Sequence, residues 1–182
     1  MSSPAVPIAP AGNLLHRFRR NRRGSAAVEF ALVAPVFFAL LFAIIESAIM
    51  FFAGQVLETI TQNSARQILT GQAQSAALTQ DEFKILVCSQ IPTLFNCGNV
   101  YVDVQKYSGF SSVAISSQID NNKNFINDMH YNPGGPGDIV VVRLFYQWPL
   151  FVTGLGYNVG NLSGNQRLLT ATAAFRNEPY GG

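Results

Sequence analysis

Five residues separate the last of a set of arginines from a lone glutamate at the edge of an apolar run: Arg22-Arg23-Gly24-Ser25-Ala26-Ala27-Val28-Glu29-Phe30. Two kinds of chemistry fit that spacing. The first is done to the chain. Gly24 has no side chain and leaves its backbone open to an endopeptidase at a membrane surface. The second is charge pairing. An ionisable group in lipid costs roughly 2.5–3.5 kcal/mol even on lenient scales, so Glu29 needs a partner. A cut after Gly24 gives Ser25 a free ammonium and makes Glu29 the fifth residue, one helical turn away. The carboxylate can then pair with its own N-terminus or with that of a neighbouring subunit. It would also sit in the first helical turn, where the positive helix end favours an acid. The competing reading is that Glu29 marks the interfacial edge of an uncleaved anchor, and the spacing leaves both open.

Elsewhere the chain holds little that points to catalysis. It has no Gly-x-Ser-x-Gly elbow, phosphate loop or His-Glu-x-x-His run. Asn132-Pro133-Gly134-Gly135-Pro136-Gly137 is rich in glycine, but its prolines lack amide donors and no phosphate-loop lysine follows, so it reads as a turn. His130 reads as a solvated loop residue. Neither His16 nor His130 has metal-ligand spacing to the two cysteines, so no metal site is expected. The expectation is a protein that enzymes act on, not an enzyme, with no cofactor. Cys88 and Cys97 enclose eight residues. In an oxidising compartment they read as a disulfide, the alternative being two buried thiols.

The chain is 182 residues long and carries a net charge of +2, but that average hides an asymmetry. Arg17, Arg19, Arg20, Arg22 and Arg23 precede Ser25 with no acid among them. From Ser25 onward seven basic residues face ten acidic ones, a net of −3. A basic tract can bind nucleic acid. Its place beside an apolar run suits the cytoplasmic flank of a membrane segment better, so no nucleic-acid partner is expected and Arg19, Arg20, Arg22 and Arg23 are assigned to membrane orientation.

Phe30–Ala53 is 24 residues interrupted by Pro35 and Glu46. As a helix it would extend about 36 Å, enough to cross a bilayer with some tilt. A cleaved secretory signal is disfavoured by the length of the run and by the bulky Met50-Phe51-Phe52 where a small-x-small site is needed. A twin-arginine signal is disfavoured by Gly-Ser-Ala-Ala and Glu29 after the pair. Pro35 removes one helix amide and frees the Ala31 carbonyl, either as a benign kink or as a bending point. Glu46 lies 17 residues beyond Glu29 and so on another face; the outer headgroups are its expected surroundings. The helical pattern continues through Gln55–Leu69, with Val56, Ile60 and Ser64 on one face and Leu57 and Ile68 beside them, and stops near Gly71.

Beyond the helix, Thr79-Gln80-Asp81-Glu82 has the form of a capping box opening a short helix. Residues 99–107 nearly alternate and predict a half-buried strand. Phe110–Gly137 predicts an irregular connection. Asp138–Tyr146 is the strongest strand signal, interrupted at Trp148-Pro149, and Arg167–Arg176 predicts a third strand. Three strands and one apolar helix face can bury each other, which predicts an α+β head with an antiparallel sheet and helices on one side.

The run Arg22-Arg23-Gly24-Ser25-Ala26-Ala27-Val28-Glu29-Phe30-Ala31-Leu32-Val33-Ala34-Pro35 resembles the N-terminus of TadE-like proteins, pseudopilins of the tight-adherence (Flp) pilus. Phe42–Glu46 is similar to that family's second acidic position, Pro136–Val142 to its main strand, and Ala173–Tyr180 to its C-terminal ending. Phe30 departs from the tyrosine common among pilins. The resemblance implies a pilin-like fold, with a long N-terminal transmembrane helix packed at its C-terminal half on a small antiparallel sheet. It implies four regions: a basic cytoplasmic leader (1–24), a transmembrane helix (25–54), an extension of that helix (55–72) and a periplasmic or extracellular head (73–182). It further implies cleavage between Gly24 and Ser25 by a prepilin peptidase, and assembly contacts by Glu29 and Phe30. The implied partners are other pilins and pseudopilins, the inner-membrane assembly platform and the lipid bilayer. The implied location is the inner membrane, with the N-terminus cytoplasmic and the head periplasmic, or the pilus itself.

Overall fold

The computed structural model describes residues 24–91, 93–152 and 158–180. Arg19, Arg20, Arg22 and Arg23 lie outside the described residues. The chain divides into two compact units, the first closing at Phe42 and the second opening at Ala43.

The first helix, α1, runs Ser25–Leu69 and includes Pro35 without a break in assignment. Up to Ile45 its described side chains are exposed or half-buried. From Glu46 a face closes: Met50, Ala53, Leu57, Ile60, Ser64 and Ile68 are all buried, spaced by three and four as one side of a helix requires. The polar members of this face are satisfied. Thr61 Oγ1 donates to the Leu57 carbonyl (2.8 Å) and Ser64 Oγ accepts from Gln90 Nε2 (3.1 Å). The expected face is therefore present, but it centres on Leu57, with Val56 half-buried at its margin.

The helix stops where a residue without a side chain is needed. Gly71 has φ 77°, its amide donates to the Ile68 carbonyl (3.0 Å), and a Cβ there would enter the Tyr180 ring. A single turn, α2 (Gln72–Ser75), leads to α3 (Gln80–Ser89). The expected capping box is formed: the Glu82 amide donates to Thr79 Oγ1 (3.3 Å) and the Thr79 amide to Glu82 Oε2 (2.8 Å). Phe83 and Val87 of α3 are buried, and Cys88 is bonded to Cys97 with Cα atoms 5.7 Å apart, as expected for the pair.

The sheet has three strands, β1 (Val100–Tyr107), β2 (Ile139–Pro149) and β3 (Gln166–Arg176), antiparallel in the order β1-β2-β3. Val104, Val142 and Ala173 are aligned across it. Alternation puts them, with Val140, Leu144 and Ala171, on the face shared with the buried side of α1 and α3. The fold is thus α+β, a long N-terminal apolar helix packed through its later turns on a small antiparallel sheet.

Two details differ from the sequence reading. β2 does not break at Trp148: Trp148 pairs with Arg167 and Pro149 with Gln166, because Pro149 ends the strand where the ladder no longer needs its amide. The sheet is also covered on both faces. Phe145, Leu162 and Leu168 form a second small core with Ile119 and Phe125 from the long connection. That connection also pairs with the free edge of β1: the Val104 amide donates to the His130 carbonyl, and the Asn132 amide to the Val104 carbonyl, both at 2.8 Å. Irregular backbone thus serves as a lid on sheet surface that would otherwise be open.

Candidate functional site

The candidate segment is the opening of α1. Gly24 is exposed, and a Cβ placed on it would meet nothing within 4 Å. Its φ is not in the left-handed region that favours glycine. Neither local sterics nor backbone conformation therefore demands glycine at this position. Ser25 is the first residue of α1.

Glu29 and Phe30 are both exposed, Phe30 at 68%. They stand among other exposed apolar side chains, including Val28, Leu32 and Val33. With α1 opening at Ser25, Glu29 is its fifth residue, one turn from Ser25 as expected and just beyond a first turn that holds no acid. Favourable interaction with the helix end falls off within a turn.

The other acid of α1 has the opposite fate. Glu46 is 8% exposed, and its carboxylate accepts hydrogen bonds from the backbone amides of Phe151 and Val152, the latter at 3.1 and 3.2 Å. Charge-assisted bonds of this kind are the strong ones and offset the cost of burying an anion. Glu46 is thus held by the chain's own head, a partner the expectation of outer headgroups did not include. The partners sit 105 and 106 residues away in sequence, and no local pattern announces them.

A second polar centre was not anticipated. Asp103 and Arg143 are both buried on the sheet face turned away from α1. Each is a charge between two apolar neighbours, Val102-Asp103-Val104 and Val142-Arg143-Leu144, and that opposition in two neighbouring strands is the signal that could have revealed the pair. His130, expected to be solvated, does expose its side chain, while its amide donates to Asp103 Oδ1 (2.9 Å). Among the described residues no cluster of His, Cys, Asp and Glu could hold a metal ion.

One helix near the N-terminus, Ala26–Leu69, is long and apolar enough to cross a membrane. Residues 24–66 match the family model described as TadE-like protein. No curated protein and no solved structure matches the chain. The match opens on Gly24, includes Glu29, Phe30 and Glu46, and ends three residues before α1 does. The likeness to that family model covers Gly24 to Arg66, and with it nearly all of the N-terminal helix.

Proposed function

We propose that the chain is a minor pilin, or pseudopilin, of a tight-adherence type IV pilus. In this reading it enters the inner membrane with its basic leader in the cytoplasm and its head in the periplasm. A prepilin peptidase removes residues 1–24 by cutting between Gly24 and Ser25. The mature subunit then joins other pilins at the assembly platform and supports pilus assembly and surface attachment. Its role is structural: it is a substrate of the peptidase and a packing unit, not a catalyst.

The observation that carries the reading is the junction itself. A glycine that its own fold does not require is followed at the fifth residue by an exposed carboxylate on an exposed apolar helix, and both fall inside the matched segment. A cut at Gly24 supplies Glu29 with the ammonium it lacks in the precursor, either on the same chain or on a neighbour. The leader arginines then have a task that ends with cleavage, which is to orient the precursor.

The test is N-terminal sequencing and intact-mass measurement of the protein from cells with and without the peptidase. Ser25 at the N-terminus in the first and Met1 in the second is the expected pair of results. An unchanged N-terminus in peptidase-containing cells would overturn the reading in favour of an uncleaved, single-pass binding or sensor protein.

A further inference from the structure

The loop Leu150–Val152 leaves β2 with an unusual division between its backbone and its side chains. Its amides are occupied: Leu150 donates to the Asn165 carbonyl (2.9 Å), and Phe151 and Val152 donate to the Glu46 carboxylate. Leu150 packs into the main core. Phe151, between them, is 82% exposed, the most open of the large apolar side chains among the described residues. Water does not reward that display, whereas N–H groups that are already paired cost little to bring toward an apolar medium.

The same region of α1 is apolar outside its buried face. Ile44, Ile45, Ile49, Phe51 and Phe52 are all exposed, on the turns just before and after Glu46. Counted from Ala26, where the candidate span opens, about 20 residues suffice to cross a bilayer and end near Ile45, within the apolar run Phe30–Ala53; on this count Glu46 and the loop it holds lie at the far interface. We propose that Leu150–Val152 is a second membrane contact, in which Phe151 enters the interfacial zone of the bilayer on the head side and Glu46 pins the loop that carries it. The occupant is lipid and not another protein, because the apolar surface continues directly from a helix with the length and composition to span a membrane. Glu46 is then a positioning residue: it satisfies two amides that would otherwise face hydrocarbon, and two donors relieve its own charge. The inference rests on the membrane anchor within the proposed function and not on cleavage or pilus assembly.

The two native cysteines are bonded to each other, so a cysteine placed at 151 is a unique label site. The full chain carrying Phe151→Cys with a bimane label is reconstituted in phosphatidylcholine–phosphatidylglycerol vesicles at high lipid-to-protein ratio. Quenching is read with lipids carrying nitroxides at shallow and at deep positions. Phe37→Cys on α1 reports insertion, and Ser111→Cys, exposed on the head, reports water. Expected is quenching at 151 several-fold above that at 111, stronger from the shallow nitroxide than from the deep one. In the Glu46→Ala background the signal at 151 should fall toward that at 111, while Glu46→Gln, which keeps an acceptor oxygen, should preserve most of it. A quenched label at 37 with an unquenched one at 151 overturns the loop contact and leaves the anchor standing. An unquenched label at 37 overturns both. Protection at 151 that vanishes as lipid dilutes the protein identifies a second copy as the occupant and also overturns the proposal. Unchanged quenching in Glu46→Ala removes Glu46 from it.

Discussion

Asp103 and Arg143 face each other in register across β1 and β2, and one carboxylate oxygen of Asp103 accepts from both Nε (2.9 Å) and Nη2 (2.7 Å) of the guanidinium. The other oxygen takes the His130 amide, and Arg143 Nη1 donates to the Ser116 carbonyl at 3.1 Å. The pair therefore does more than close a ladder position: it fastens two points of the long connection to the sheet. Removing one partner of a buried pair strands the other charge and costs about 3–5 kcal/mol, whereas replacing both by apolar groups of similar volume is often near neutral. Asp103→Ala and Arg143→Ala should each destabilise the detergent-solubilised chain by that amount in urea unfolding. Asp103→Val with Arg143→Met should lose much less than the sum. Additive losses would show that the two charges are not coupled.

The bridge between Cys88 and Cys97 joins the end of α3 to the turn that enters β1. Closing a loop of about ten residues removes unfolded-state entropy worth roughly 2–3 kcal/mol in the chain-entropy picture. Cys88→Ser with Cys97→Ser should lower stability by about that much and leave the capping box of α3 formed, because Thr79 and Glu82 lie a full helix away. Intact mass of the exported protein, before and after reduction and alkylation, checks that the bond forms. Two free thiols in that sample would refute it.

What the sequence made legible was local. The end of α1, the capping box and the cores of all three strands follow from spacings of two to four residues, and each stands within a few residues of its expected place. The cysteine pair was legible because two cysteines allow one pairing, and an oxidising compartment favours it. Glu46 and Asp103 were not, because their partners lie 105 and 40 residues away and a carboxylate next to apolar neighbours looks the same whether it meets water, lipid or a buried donor. The covering of the sheet's second face was hidden for a similar reason. The polar connection contributes isolated residues, Ile119, Phe125 and Met129, with no period to read.

Three carboxylates, Glu82 exposed and Asp120 and Asp138 half-buried, predict how the head responds to acid. The Thr79 amide and then its hydroxyl hold Glu82 below its ordinary 4.5. The Asn124 amide and then its side chain hold Asp120 below 3.8, and the Gly135 amide followed by Lys106 does the same for Asp138. A depressed folded-state pKa contributes stability that is present above the unfolded value and lost as pH falls through the folded one. The melting temperature should be level above the ordinary carboxylate range and fall on descending through it. Glu82→Gln should flatten part of that fall. A melting temperature that stays level through the whole range would exclude these carboxylates as contributors.

Tyr131 predicts the alkaline side. Its ring packs on Phe83 at 5.6 Å, and its hydroxyl finds no hydrogen-bond partner among the described residues. Burial, and then the charge of Glu82, pushes its pKa up to about 12 from 10.0. The fold thus favours the protonated phenol, and that contribution is full below 10.0 and lost as pH rises toward about 12. Tyr131→Phe should remove this alkaline loss. At neutral pH it should hold stability level or raise it by up to about 1 kcal/mol, since an unpaired buried hydroxyl is a cost. Difference titration of phenolate absorbance against the wild type should show that the missing tyrosine is one that ionises late. A loss of stability at neutral pH would mean that the hydroxyl has a partner after all.

The sharpest contrast lies between the two acids of α1. Glu46 is satisfied within its own chain, so its loss should be felt by the head. Glu29 is exposed in the second turn of an apolar helix, so its loss should be felt between chains. Glu29→Ala should leave head stability unchanged and cleavage at Gly24 largely intact, because the peptide bond and the glycine are untouched. On the proposed function it should lower incorporation into pili, because in that reading the ammonium of Ser25 on a neighbouring subunit loses its counter-charge in a low-dielectric setting. Glu29→Asp, which keeps the charge on a shorter arm, should recover part of the assembly, and Glu29→Gln should recover less. Sheared-pilus yield measured beside the mature mass separates the two steps. Normal pili from a correctly cleaved Glu29→Ala subunit would show that the carboxylate is not an assembly contact, while failed cleavage would move its role to recognition by the peptidase.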